Sequence, residues 1–152
     1  MKSLQLSNYI RAYKLNGESQ RILKNARNIT IDTVLNDMKT LEFTLPYSES
    51  LQTEQNLIYR NERFIVKKIE QSRQNGKVVT AYSAFIELAD RTIKKIEFQN
   101  LSFQAAAEKI LNNSGWTVGH VEEISNEVFA MIDENKTRMY LLRELARVSG
   151  YE

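Results

Sequence analysis

The stretch Leu101–Gly119, LSFQAAAEKILNNSGWTVG, constrains the chain most, because it spells a helix, its stop and a following element in nineteen residues. Ser102 is an N-cap candidate whose hydroxyl can accept from an unpaired N–H of the first turn. At about 100° per residue, Phe103, Ala106, Ala107, Ile110 and Leu111 share one arc, and Gln104, Glu108, Lys109 and Asn112 fall outside it. One face is therefore built for burial. Gly115 stands where a left-handed stop belongs, and Trp116, Thr117 and Val118 have strand character. Trp116 reads as a core anchor, with ligand stacking as the alternative.

The chain closes on the same logic. Thr137 is a cap candidate, MYLLRELARV an amphipathic helix, and Gly150-Tyr151 repeats the glycine–aromatic exit of Gly115-Trp116. The repetition implies a further strand beyond Glu152, hence an amino-terminal piece of a longer protein. A protein of this length with a frayed end is the alternative.

Ahead of these helices the periodicity changes to two. Leu4–Leu15 reads as an irregular strand ending at an Asn16-Gly17 turn, and Ile22-Leu23 begins the return. Ile29 and Ile31 alternate with Asn28, Thr30 and Asp32. A turn at Asn36–Lys39 leads to LEFTLP, with Leu41, Phe43 and Leu45 on one face and Glu42 and Thr44 on the other, closed by Pro46. Tyr47–Gln55 reads as a loop and Leu57–Tyr59 as a strand. After a turn at Arg60–Glu62, Phe64–Ile69 is apolar on both faces, as an inner strand requires. Asn75-Gly76 then makes a hairpin with Val78–Ile86.

Short strands at this spacing favour a closed or nearly closed antiparallel barrel, since closure removes exposed edges. The expectation is an α+β chain: a barrel-like antiparallel β domain over 1–90, then a smaller α+β segment with two amphipathic helices over 91–152. The charged stretch RTIKKIEFQN follows the boundary with no element assigned to it. Val121–Asn126 reads as a connection, Val128–Ile132 as a buried strand, and Asp133-Glu134-Asn135 as its end.

A hydrophobic content of 42% supports a real core, and no apolar run approaches the length of about 20 residues that spans a membrane, so a soluble domain is expected. The amino terminus is too interrupted for a secretory signal. The absence of cysteine excludes disulfides and thiolate metal sites and fits a reducing compartment. A net charge of +2 allows nucleic-acid binding only if basic residues cluster.

Such a cluster is conceivable on the last helix, where Lys136, Arg143 and Arg147 fall on one side, opposite Leu141, Leu145 and Val148. The solvated back of an amphipathic helix is the plainer reading. His120 is the sole histidine, so a multi-histidine metal site is excluded within one chain. Glu122 and Glu123 point to opposite faces if extended, and Asp32, Asp37, Asp90 and Asp133 are scattered. An enzyme using Glu122, Glu123 or Asp133 with His120 is a weaker alternative. No phosphate-binding glycine loop or nucleophile elbow is present. No catalytic, cofactor-binding or metal-binding residue is assigned, and no cofactor is expected.

Four blocks in order, LEFTLPYS, FIVKKIEQSRQNGKVVTAYSAFIELAD, SFQAAAEKILNNSGWTVG and TRMYLLRELARVSGYE, resemble the amino-terminal region of bacteriophage tail-associated proteins, the prophage tail-endopeptidase and minor structural protein group. The resemblance extends from about Leu35 to Glu152. It implies a tail hub of barrel-like modules in a three-fold ring, similar to the central hub of contractile tails and type VI secretion spikes. It also implies a place at the virion tail tip after synthesis in the host cytoplasm. Implied partners are two further copies of the chain and neighbouring distal tail and tape-measure proteins, with no membrane and no specific nucleic acid. Lytic activity would lie in later domains. The alternative function is a small basic nucleic-acid-binding module using the second helix.

Overall fold

The computed structural model describes residues 8–17, 19–33, 38–74, 76–121 and 127–150. The chain divides into two compact units, Met1–Ile86 and Glu87–Glu152.

The first unit is built on antiparallel strands: β1 (Arg11–Tyr13), β2 (Gln20–Ile22), β3 (Arg27–Asp32), β4 (Thr40–Leu45), β5 (Asn56–Tyr59), β6 (Glu62–Ser72) and β7 (Gly76–Ser83). They form one seven-stranded sheet in the order β2-β1-β5-β6-β7-β4-β3. The two edge strands are consecutive in sequence, joined only through Leu23–Ala26. A flat sheet of this width would hold its edges about 29 Å apart, whereas the link from Ile22 to Arg27 reaches at most about 18 Å. The sheet must therefore curl, and it forms a half-barrel, in keeping with the barrel-like antiparallel domain expected though open between β2 and β3.

Alternation fills the inside of that curl. Leu41, Phe43 and Leu45 are buried on one face of β4, with Glu42 exposed on the other. They pack with Ile10, Ala12, Leu57, Phe64, Val66, Val79 and Ala81 into one core. Strand β6 lies at the centre of the order, which is why Phe64, Ile65 and Val66 are all buried. Its register slips by one residue between Val66 and Lys68. That bulge changes the parity, so Ile69 packs against the core and Lys68 turns out to solvent.

The turns agree with their chemistry. Gly17 N–H bonds the Lys14 carbonyl at 2.8 Å, and Arg60 and Asn61 both adopt positive φ between β5 and β6. Gly76 also has positive φ, as its hairpin requires, while Asn75 lies outside the described residues. Strand β7 stops at Ser83, short of the anticipated Ile86, because Ala84–Ile86 winds into a 3₁₀ turn. The anticipated strand over Leu4–Leu15 is only β1, with residues 1–7 outside the described set, as are Asn36 and Asp37 of the expected turn.

The second unit contains α1 (Glu87–Asp90), β8 (Thr92–Leu101), α2 (Phe103–Leu111), β9 (Phe129–Thr137) and α3 (Arg138–Val148). Both caps form as anticipated. Ser102 Oγ accepts from Ala105 N–H, and Thr137 Oγ1 accepts from Tyr140 N–H, each at 3.2 Å. Ala106, Ala107 and Ile110 of α2 meet Leu141 and Leu145 of α3 over Ile96 and Phe98 of β8.

Four expectations are corrected here. Trp116–Val118 is not a strand, since α2 ends at Leu111 and the chain from Trp116 to Val121 is irregular. Gly115 takes the positive φ expected of it, +80°, but Asn113 is already left-handed and Ser114 N–H and Oγ both bond the Leu111 carbonyl, so the helix is closed before the glycine is reached. The charged stretch after Arg91 is strand β8, paired with β9. Strand β9 is only half-buried: Phe129 and Met131 pack against the core while Ile132 is 70% exposed, as is Val128 just before the strand at 61%, and Asp133-Glu134-Asn135 runs within the strand.

Candidate functional site

The titratable candidates do not converge. His120 is exposed in the irregular segment, Asp32 ends β3 in the first unit, and Asp90 ends α1 in the second. Asp133 Oδ1 accepts from the neighbouring Glu134 N–H. Glu122, Glu123 and Asp37 lie outside the described residues. Among the described residues no group of three or more His, Cys, Asp and Glu is placed to hold a metal ion. No helix of the described residues is long and apolar enough to cross a membrane.

The basic stripe is dispersed as well. Lys136 belongs to β9, not to the helix, and its ammonium sits over the Tyr140 ring, 4.8 Å from the centroid. Arg147 makes a fork to Glu144, with Nη2 donating to Oε2 at 2.9 Å. This hydrogen bond holds the Glu144 carboxyl below its ordinary range and raises Arg147. Val148, expected on the buried side, is 56% exposed. Trp116 is half-buried, and its Nε1 donates to Glu87 Oε2 at 3.0 Å, so it is tied by its polar edge and is not the buried core anchor expected.

A cleft of about 490 Å³ remains in the first unit, between the β1–β2 hairpin and the loop Ser50–Gln55. The pairing Ala12↔Arg21 puts Arg21 on the same face as the core residue Ala12, and alternation along the chain puts Lys14 there too. The inner face of the half-barrel thus ends in two cations instead of apolar side chains. Leu51, 8% exposed, forms part of the floor. Arg21 donates to the Ser50 carbonyl, Gln55 Nε2 to the Tyr13 carbonyl at 2.9 Å, and Asn25 Nδ2 to Glu49 Oε1 at 2.8 Å. These bonds strap the loop across the open side of the sheet. Sequence reading missed this cleft, although the hairpin register set by Asn16-Gly17 would have placed Lys14 and Arg21 together.

This half-barrel is also where the similarity to known proteins lies. The model of the prophage endopeptidase tail N-terminal domain family matches residues 9–84. The chain belongs to this family. The match covers the seven strands β1 to β7 and the cleft. A solved structure, prophage tail protein gp18 from Listeria monocytogenes EGD-e, has the same fold with a TM-score of 0.73 at 17% sequence identity. The superposition covers 91% of this chain and 45% of that one, so this chain spans under half the length of gp18. No curated protein sequence matches. Membership of the prophage endopeptidase tail family makes this chain a component of a phage tail, with a structural role for the matched domain.

Proposed function

We propose that this tail domain is the amino-terminal region of a hub protein that forms a three-fold ring at the distal end of the tail tube. The observation that carries the reading is the family match over the whole half-barrel. The open sheet supports it, because β2 and β3 leave strand edges that a neighbouring subunit can cover, and a heterologous contact repeated by rotation closes into a ring. The charge distribution is compatible with a tube that passes DNA without gripping it: net charge is +2, and Arg147 is already neutralised by Glu144. Partners in this reading are two further copies and the adjoining distal tail and tape-measure proteins. Peptidase or lytic activity belongs to other domains of the full-length protein.

Light scattering on this chain and on the full-length protein tests the ring. A trimer in either sample supports it, and monomers in both contradict it.

A further inference from the structure

We infer that the cleft between the β1–β2 hairpin and the Ser50–Gln55 loop docks an extended acidic segment of a neighbouring tail protein by strand addition to β2. The inference rests on the reading of this chain as a tail component, and gives the β2 edge, which that reading leaves open to any neighbour, one stated occupant. Lys14 N–H bonds the Ser19 carbonyl and Leu23 N–H the Ile10 carbonyl, which fixes Ala12↔Arg21 as the hydrogen-bonded pair between them. The backbone N–H and C=O groups of Gln20 and Ile22 therefore point away from β1. As β2 is an edge of the sheet, no strand of the described residues takes them. An extended peptide can.

Charge selects which peptide. Lys14 and Arg21 line the cleft, and no carboxylate does so among the described residues. Among these residues the Lys14 ammonium has no hydrogen-bond or ion-pair partner, and the Arg21 guanidinium meets only a neutral carbonyl. Leu15, 60% exposed at the rim, and Leu51 in the floor offer apolar contact beside the cations. The occupant these features fit is a strand with alternate glutamate or aspartate side chains entering the cleft and apolar residues flanking them. A carboxylate between Lys14 and Arg21 makes charge-assisted hydrogen bonds, and the backbone supplies register.

The test is a titration of the isotope-labelled full chain with acetyl-Leu-Glu-Val-Glu-Leu-amide, followed by amide chemical shifts. The acidic peptide is expected to move the amides of Gln20, Arg21 and Ile22, more weakly as salt rises. Lys14→Gln removes a charge without removing a bond of the described fold, and should weaken binding about tenfold, with Lys14→Arg restoring it. Three results overturn the inference: no shift in β2 at millimolar peptide, equal binding of acetyl-Leu-Gln-Val-Gln-Leu-amide, or the same shifts from sodium acetate at equal concentration, which would indicate a small-anion site. Oligomer mass does not enter this readout. Failure of the ring and failure of the docking edge are therefore told apart.

Discussion

Gly76 and Leu45 approach so closely that a Cβ added to the glycine would lie 2.2 Å from the Leu45 carbonyl oxygen. The obstacle is backbone, at the end of the β4–β7 ladder where Leu45 pairs with Lys77, and it has no rotamer to relieve it. Gly76 also sits at φ +90°, a conformation that side chains disfavour.

Gly76→Val should therefore cost about 2–4 kcal/mol, combining left-handed strain with a shift of β4 against β7. Gly119→Ala provides the control, since Gly119 has open space around its Cβ position, and should stay within about 0.5 kcal/mol. Calorimetric melting of the two variants decides it, with a large drop only for Gly76→Val.

Trp116 is the sole tryptophan, so its fluorescence reports one site. A fully buried indole would make Trp116→Ala cost about 3–5 kcal/mol, but the half-buried position held by Glu87 reduces this to about 1–2 kcal/mol. Emission should be red-shifted relative to a core tryptophan and readily quenched by acrylamide. Blue, unquenched emission would contradict this placement.

Arg138, the first residue of α3, donates through Nε to the Ile110 carbonyl at 3.1 Å and through Nη2 to the Asn112 carbonyl at 3.0 Å. It thereby caps the end of α2 and complements that helix's negative pole. Arg138→Gln should destabilise the second unit by about 1–2 kcal/mol, and Arg138→Lys should recover only part, because an ammonium cannot reproduce the planar fork. Denaturation curves followed by far-ultraviolet dichroism supply the measurement.

The hydrogen bond from Arg147 places the Glu144 titration below the ordinary value of 4.5. A depressed carboxylate stabilises the fold above its unfolded pKa, and that contribution is lost as pH falls through the folded one. Arg147 is exposed and Glu144 partly so, which keeps the effect on melting small and makes the titration itself the readout. The Glu144 carboxyl carbon should titrate at higher pH in Arg147→Gln than in the parent, and an unchanged midpoint would refute the fork.

The legible parts of the chain are those where a local rule and the tertiary environment agree. Leu41, Phe43 and Leu45 alternate because one side of β4 meets the core, and Ser102 and Thr137 cap because the hydroxyl bonds only three residues ahead. Strand β8 was hidden by its spacing. Ile93 and Ile96 both reach the apolar side although three residues apart, opposite a strand in which Asn135 takes positive φ. Asp133-Glu134-Asn135 reads as a terminator because its place in a strand depends on backbone pairing with β8, which lies distant in sequence. The cleft is only half legible: the Asn16-Gly17 hairpin register brings Lys14 and Arg21 together, but the opposite wall, Ser50–Gln55, lies distant in sequence.

Electron cryo-microscopy of intact tails carrying the full-length protein measures the proposed ring at the tail tip directly. Three copies of this fold are expected around the distal end of the tube, one half-barrel per subunit. Density for the fold at another position along the tail, or in a different symmetry, would contradict it.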